Sequence, residues 1–205
     1  MRLLSVIAIA GALAPAVARA DGVYASESIG VSIPDDSLAP YLQQPLKVRL
    51  AVGARWRFVA VEPWLSSDLQ LDRDGATRGI LGGTPAQGTA DLATYGIDAK
   101  LIGKLDEHLS AYVRMGPSRA EANGMLDGYA GWGMGAAAGV QLTGRVRALG
   151  FLWTPLFFVK RGPMITGSLF LDQGVDFYRL RMSGAPDINA RVAHVSIGFA
   201  LGSDF

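Results

Sequence analysis

The sequence contains no cysteine and only two histidines, His108 and His194. Without cysteine, the chain cannot form a disulfide scaffold, a thiolate metal site or a cysteine nucleophile. The two histidines lie far apart and neither belongs to an HExxH motif, so the sequence predicts no metal site and no cofactor. Stability must therefore come from side-chain burial and from backbone hydrogen bonds.

Long apolar runs are also missing beyond the first twenty residues. No run of eighteen apolar residues follows Ala20, which argues against a membrane-spanning helix. The longest candidate, 150–159, is too short and contains Pro155. Because only helices and closed barrels satisfy every backbone polar group in lipid, a membrane role would require a β-barrel.

Neither sign of charge is in strong excess. The chain starts with a short basic segment, an apolar stretch and Ala18-Arg19-Ala20, so we expect residues 1–20 to be a cleaved signal peptide and 21–205 to form one domain. An uncleaved anchor is the alternative. Without Arg2 and Arg19, 17 basic residues remain against 18 acidic ones, and no basic field is left to attract nucleic acid.

Alternation of apolar and polar residues runs through most of the chain, with interruptions at Glu27, Pro63 and Gln173. It is clearest over 46–56, where apolar residues at even positions alternate with Lys47, Arg49 and Arg55 at odd ones. A period of two predicts a strand with one apolar and one polar face. Seven other segments share the pattern: 23–33, 59–71, 93–103, 109–116, 128–142, 164–180 and 190–205.

The connections between these segments alternate in length. Short turns are predicted at 57–58 and 104–107, and long polar loops at 34–45, 72–92, 119–127 and 183–189. With both termini in the periplasm, the short turns fall on the periplasmic side and the long loops outside, as in bacterial barrels. The sequence therefore predicts an all-β fold, an eight-stranded antiparallel up-and-down transmembrane β-barrel.

One connection breaks this rule. Residues 144–163 are apolar in the middle, contain Pro155 and are long where a short turn is expected. We predict a connection at the membrane surface, because two further strands here would be shorter than the roughly 9 to 11 residues of a spanning strand. Those two strands, giving ten in all, are the alternative.

The last predicted strand ends on an aromatic residue at the chain terminus. Its apolar face carries Val195, Ile197, Phe199, Leu201 and Phe205. With this ending and the strand rhythm, the chain resembles small Gram-negative outer-membrane β-barrel proteins of the OmpA/OmpX/OmpW-like type. The resemblance implies a monomer in the lipid of the bacterial outer membrane, with these five residues as the signal read by the barrel-assembly machinery. A soluble exported barrel or sandwich is the alternative.

The polar face of the predicted strands carries charges of both signs. An eight-stranded barrel is only wide enough to be filled by side chains, so we interpret these charges as a mutually neutralising interior network. Cations of the second strand are expected to face carboxylates of the third. A narrow path for ions or small solutes is the alternative. The predicted residues are Lys47, Arg49, Arg55, Glu62, Asp68, Asp98, Lys100, Arg114, Asp172 and Asp176.

No catalytic arrangement is predicted. Asp172 and Asp176 would lie about 13 Å apart along one strand, too far for paired carboxylate chemistry. No GxSxG motif surrounds Ser110 or Ser196. We therefore expect a structural or surface-interaction role through the outer loops. An exported lipocalin-like binder is a further alternative, but such a protein would place its apolar residues inside.

Overall fold

The computed structural model describes residues 20–42, 45–69, 90–147 and 164–203. Eight strands close into a barrel in which each strand pairs with its neighbours in the sequence and β1 pairs with β8. All eight pairings are antiparallel, which confirms the predicted eight-stranded up-and-down barrel. The strands are β1 (Gly22–Pro34), β2 (Leu46–Trp56), β3 (Val59–Leu69), β4 (Ala90–Lys104), β5 (Leu109–Gly124), β6 (Ala130–Arg147), β7 (Met164–Arg181) and β8 (Ile188–Ser203).

The alternation in the sequence becomes the two faces of the barrel wall. Ile29 pairs with Val48 on β2 and with Ile197 on β8, and Ile197 pairs with Leu171 on β7. Residues paired across strands share a face, so these apolar side chains form a row around the outside. Their polar neighbours in the sequence point into the barrel. Two outward residues, Glu27 and Gln173, interrupt the apolar surface.

The predicted loop at 119–127 is wrong. β5 continues to Gly124 and pairs with β4 as far as Ala90, so only the short turn 125–129 connects β5 to β6. The hydrogen bonds between strands are made by the backbone, so a strand can continue with polar outward side chains beyond the apolar part of the barrel surface. Arg119 and Glu121 therefore mark the polar end of a strand, although their polarity suggested a loop.

The predicted start of the connection at 144–163 is also wrong, whereas its predicted end agrees with the start of β7. β6 runs to Arg147, β7 starts at Met164, and the two pair directly from Ala130 with Arg181 to Arg147 with Met164. The barrel closes with eight strands, which excludes the ten-stranded alternative. Four further predictions fall partly or wholly outside the described part of the chain: the signal peptide 1–20, the loop at 72–92, the surface connection at 144–163 and Phe205. The undescribed residues concerned are 1–19, 70–89, 148–163 and 204–205.

A tight hairpin at 57–58 joins β2 to β3. Arg57 has a φ of 53°, in the left-handed region that a non-glycine residue adopts only when its neighbours hold it. Asp21 Oδ2 accepts a hydrogen bond of 2.7 Å from the Arg57 amide, and the Arg57 carbonyl accepts one of 2.6 Å from Arg55 Nε. The turn is therefore held by contacts on both of its backbone groups.

We expect Gly53→Ala to lower the free energy of unfolding by about 1–3 kcal/mol, since it overfills a packed site. Gly53 pairs with Tyr24, and an added Cβ would lie 2.6 Å from two carbons of the Tyr24 ring. The ring cannot shift freely because its hydroxyl donates a 2.5 Å hydrogen bond to Glu62.

The matched control is Gly144→Ala, where an added Cβ would meet no atom within 4 Å. We expect a change within about 0.5 kcal/mol for this variant. Urea unfolding followed by tryptophan fluorescence would measure both. Equal effects of the two substitutions would contradict the packing of Tyr24 over Gly53.

Candidate functional site

All ten charged residues expected to face the interior lie on inward faces of β2, β3, β4, β5 and β7, and all ten are buried. They are distributed along the barrel axis between two ends. We call the end with the turns 57–58 and 105–108 the hairpin end. The opposite end, with the connections 35–42, 125–129 and 182–187, is the capped end.

The middle of the lumen contains an ion-pair network of Arg49, Glu62, Asp98, Arg114 and Asp172, which we call the central network. Asp98 Oδ2 lies 2.8 Å from Arg49 Nη2 and 2.8 Å from Arg114 Nη1. Arg114 Nη2 also lies 3.0 Å from Asp172 Oδ2. Arg49 Nη2 also lies 3.6 Å from Glu62 Oε2. One carboxylate thus bridges two guanidinium groups, and each guanidinium has a second carboxylate.

Towards the hairpin end, Lys100 is surrounded by the aromatic rings of Tyr24, Tyr112 and Phe170, which form the aromatic layer. Its ammonium lies 4.1 Å from the Tyr112 ring centroid, 5.6 Å from that of Tyr24 and 5.9 Å from that of Phe170. It also lies 3.1 Å from Glu62 Oε1. A desolvated ammonium is stabilised by both kinds of contact.

The aromatic layer is bonded to the central network through its hydroxyls. Tyr24 donates a 2.5 Å hydrogen bond to Glu62, and Tyr112 donates one of 3.0 Å to Asp172. A small pocket lies among these side chains, with a volume of about 10 Å³. That is about the smallest volume that holds one water molecule, so this part of the lumen is closely packed.

Towards the capped end, Lys47 lies 2.7 Å from Asp176. The Nδ1 atom of His194, on the inward face of β8, lies 3.5 Å from the same carboxylate. Asp68 accepts a hydrogen bond from the Ser32 hydroxyl. His194 adds a further group able to carry positive charge in a region with two carboxylates and one lysine.

The expectation that cations of the second strand face carboxylates of the third is met by one pair. Lys47 is opposite Asp68, but Arg49 is opposite Ser66 and Arg55 is opposite Ala60. Long side chains in a narrow lumen reach strands other than their neighbours. Even Lys47 makes its short contact with Asp176 on β7.

Arg55 differs from the other cations of the predicted set. Its side chain lies at the hairpin end, where Nε donates to the Arg57 carbonyl. Within the described ranges, no carboxylate lies within ion-pair distance of its guanidinium group. The structure thus brings the other nine charged residues into contact networks along the lumen, whereas Arg55 lies apart from them at the hairpin end.

The capped end is closed by an apolar plug, which consists of Leu38 and Leu42 from the connection after β1. Their exposed fractions are 0% and 2%. The Leu42 amide donates a 2.8 Å hydrogen bond to the Leu38 carbonyl, so one turn places both side chains on one side. They pack on residues of the turn 125–129 and on inward residues at the strand ends: Leu126 and Tyr129 from the turn, and Ala90, Leu92, Ala120, Ala122, Tyr178, Leu180, Ala190 and Val192 from the strands.

The plug is absent from the expectations based on sequence, because 34–45 looked like a polar loop with three prolines. Two signals could have indicated it. Leu38 and Leu42 are four residues apart, as on one face of a helical turn. The residues at inward positions also change from charged to small or apolar near the capped end, as at Ala120 and Ala122.

Neither a metal centre nor a helical membrane span is found in the part of the chain that the structure describes. No group of three or more histidine, aspartate or glutamate side chains there could hold a metal ion. No helix within the same ranges is long and apolar enough to cross a membrane. The polar chemistry of these residues is that of ion pairs and hydrogen bonds.

The predicted assembly residues Val195, Ile197, Phe199 and Leu201 lie on β8, which closes the barrel by pairing with both β7 and β1. Val195 and Ile197 have exposed fractions of 48% and 58%, as expected for the outward face.

No family model matches the chain, and no curated protein sequence matches it. Solved structures do match. Neisserial surface protein A (NspA) has a TM-score of 0.56 at 14% identity, over 87% of this chain and 94% of that chain. Ail, the attachment invasion locus protein of Yersinia pestis, has a TM-score of 0.43 at 9% identity, over 88% of this chain and 96% of that chain. The likeness to NspA confirms, at the level of the fold, the predicted resemblance to small outer-membrane β-barrels.

Proposed function

We propose that the protein is a monomeric, non-enzymatic barrel of the bacterial outer membrane that acts as a structural or surface-interaction protein through the connections at its capped end. The observation that supports this most strongly is the belt of exposed apolar side chains around a barrel with a charged interior. Water does not favour that arrangement, whereas lipid does. The belt includes Ile29, Val31, Leu50, Val52, Leu65, Leu101, Val113, Met115, Met134, Val140, Leu169, Leu171, Val195 and Ile197.

The limits of the belt fit a membrane boundary. On β7 the outward residues change from Phe177, with an exposed fraction of 51%, to Arg179 and Arg181. On β6 the belt ends near Trp132, which has an exposed fraction of 65%. Aromatic side chains followed by charged ones are typical of the interface at which a barrel leaves the lipid.

A closed lumen favours the surface role over passage of solutes. The pocket between the central network and the aromatic layer has a volume of only about 10 Å³, and the plug packs on the inward residues of the capped end. The lipocalin-like alternative is also disfavoured, because Arg49, Asp98 and Arg114 fill the space in which an apolar ligand would bind. NspA, which shares the fold, is named a surface protein, and we extend that role to this chain as part of the proposal.

Cysteine labelling in whole cells would test location and orientation together, since the chain has no cysteine of its own. Met125 and Phe58 have exposed fractions of 59% and 62% and lie at opposite ends of the barrel. We expect Met125→Cys to react with a membrane-impermeant maleimide in intact cells. Phe58→Cys should react only after the outer membrane is permeabilised.

Val113→Cys provides the matched test of the belt, because Val113 is outward and 46% exposed but lies between the two ends. We expect lipid to protect it in both preparations until the protein is unfolded. The wild-type chain is the blank. Reaction of Val113→Cys as fast as Met125→Cys would refute the membrane location, and reaction of Phe58→Cys in intact cells would refute the orientation.

A further inference from the structure

The hairpin end of the barrel contains an open cavity of about 960 Å³. Its wall includes four cationic side chains and two carboxylates. The volume lies within the range of about 300–1,000 Å³ that is usual for small-molecule sites. We call this cavity the basic cup, and the charged residues that line it are Asp21, Arg55, Arg57, Lys104, Glu107 and Arg145.

The charges of the basic cup do not neutralise one another. Asp21 directs Oδ2 to the Arg57 amide, at 2.7 Å. Within the described residues, no ion pair joins Asp21 or Glu107 to any of the four cations. With four cations against two carboxylates, the described wall of the cavity has a surplus of positive charge, although the whole chain is close to neutral.

Arg55 is the most buried of these cations, since Arg57, Lys104 and Arg145 are exposed. It is only 9% exposed, yet its one described side-chain hydrogen bond runs from Nε to the Arg57 carbonyl, at 2.6 Å. Burying a guanidinium group without a counter-charge is costly, which is why Arg49 and Arg114 each contact two carboxylates. Arg55 lines the cup, so its remaining N–H donors are available to a group inside the cavity.

The cup is closed on its inner side. Tyr24, Tyr112 and Phe170 surround Lys100 between the cup and the central network. The pocket beside Lys100, Tyr112 and Phe170 has a volume of only about 10 Å³. A molecule in the cup therefore enters and leaves at the hairpin end. With the proposed orientation, that end faces the periplasm.

We propose that the basic cup is a binding site for a small organic anion with carboxylate or phosphate groups, and that Arg55 is its anchor. A guanidinium group matches the two oxygens of either anion with two parallel hydrogen bonds. Arg57, Lys104 and Arg145 add positive charge around the opening. The anion supplies the counter-charge that Arg55 lacks among the described residues.

Calorimetric titration of the folded full chain in a zwitterionic detergent would test this site. The probes are citrate and inorganic phosphate, each at low ionic strength, with sodium chloride of equal ionic strength as the blank. We expect saturable binding of at least one probe with a Kd below about 1 mM. Arg55→Gln should weaken it by about tenfold or more, since it removes the charged fork.

The matched control is Arg191→Gln, which removes an exposed, outward-facing arginine at the capped end. Its affinity should stay within about twofold of wild type, because the site is far away and the charge change is the same. If Arg55→Gln does not fold, the double variant Lys104→Gln/Arg145→Gln replaces it, with the same expected loss.

Three outcomes would overturn the proposal: no saturable binding of either probe, equal affinity of Arg55→Gln and wild type, or equal weakening by Arg191→Gln. Phosphatidylglycerol added to the micelles distinguishes a dissolved anion from a lipid headgroup. If phosphatidylglycerol competes with citrate, the lipid phosphate binds in the same cup. If it does not compete, the ligand is a dissolved anion. The titration uses purified protein, so its failure is distinct from failure of the labelling experiment in cells.

Discussion

Replacing Arg114 with methionine is expected to destabilise the barrel by about 3–5 kcal/mol, the cost of leaving a buried carboxylate without its partner. Among the described residues, Arg114 is the only cation within ion-pair distance of Asp172, at 3.0 Å. It also lies 2.8 Å from Asp98, which keeps Arg49 as a second partner. The substitution should therefore act mainly through Asp172, which has a side-chain exposed fraction of 2%.

A second substitution should restore much of the lost stability. In Arg114→Met/Asp172→Asn the buried negative charge is removed, while the amide keeps the shape of the carboxylate. In the wild-type chain the Asp172 carboxylate accepts hydrogen bonds from the Ser196 hydroxyl at 2.5 Å and from the Tyr112 hydroxyl at 3.0 Å. The asparagine amide can still accept from the Ser196 hydroxyl and can donate to the Tyr112 hydroxyl oxygen. We expect the double variant to recover at least about half of the loss, because an unpaired charge costs more than a missing pair.

Urea unfolding in detergent or lipid, followed by tryptophan fluorescence or by heat-modifiable gel mobility, would measure these differences. The surface control is Arg179→Met, which breaks a 2.8 Å contact with Asp187 at an exposed site. Exposed ion pairs contribute about 0–1 kcal/mol, so this control should change little. A loss as small for Arg114→Met as for Arg179→Met would show that the central network does not stabilise the barrel.

The apolar plug is expected to open locally when both of its leucines are shortened. Each buried Leu→Ala change costs about 2–5 kcal/mol, through lost burial and the cavity left behind. In Leu38→Ala/Leu42→Ala this cost falls on a connection that the barrel strands do not need in order to pair. We expect hydrogen exchange of the Leu42 and Ala90 amides to accelerate by at least about 100-fold, because they exchange through local opening.

These two amides report on the plug directly. Leu42 donates to the Leu38 carbonyl at 2.8 Å, and Ala90 donates to the Tyr41 carbonyl at 3.0 Å. Amides in the middle of β5 and β6 should be unaffected. The matched control is Leu65→Ala/Leu142→Ala, which shortens two outward leucines with exposed fractions of 57% and 56%. Equal acceleration in the control would mean that the effect is not specific to the plug.

Planar-bilayer recording of the plug variant would test whether the central network and the aromatic layer block the lumen without the plug. We expect neither wild type nor Leu38→Ala/Leu42→Ala to conduct, because the side chains of the central network and the aromatic layer occupy the middle of the lumen, where the pocket among them has a volume of about 10 Å³. Stepwise conductance in the variant alone would contradict this. It would mean that the plug is the gate of a pore and would support the alternative of solute passage.

The predicted strands show which part of the fold can be read from sequence. A shift of one residue would move a whole strand's apolar set to the wrong face, so the alternation in 46–56 or 164–180 determines which side faces out. Because that pattern is local, the number of strands and the two faces were predictable. The end of β5 was not, because Arg119 and Glu121 are outward residues beyond the apolar belt and resemble a loop in composition.

The partners of the interior charges required the closed barrel. Lys47 contacts Asp176 although 129 residues separate them, and Arg114 contacts Asp172 across 58 residues. Register places only one of the three β2 cations opposite a β3 carboxylate. The remaining contacts run across the lumen, and sequence spacing carries no information about distances across a lumen.

By itself the sequence determined the strand count, the antiparallel order and the inward position of the ten charged residues, because a period of two and the lengths of the connections are local properties of the chain. Only the tertiary structure decided which charges pair, that Leu38 and Leu42 cover the capped end, and that Arg55 lines an open cavity with no ion-pair partner among the described residues. Those features depend on which side chains meet after the barrel closes. Closure brings together residues from opposite walls at distances set by strand stagger and by the narrow lumen.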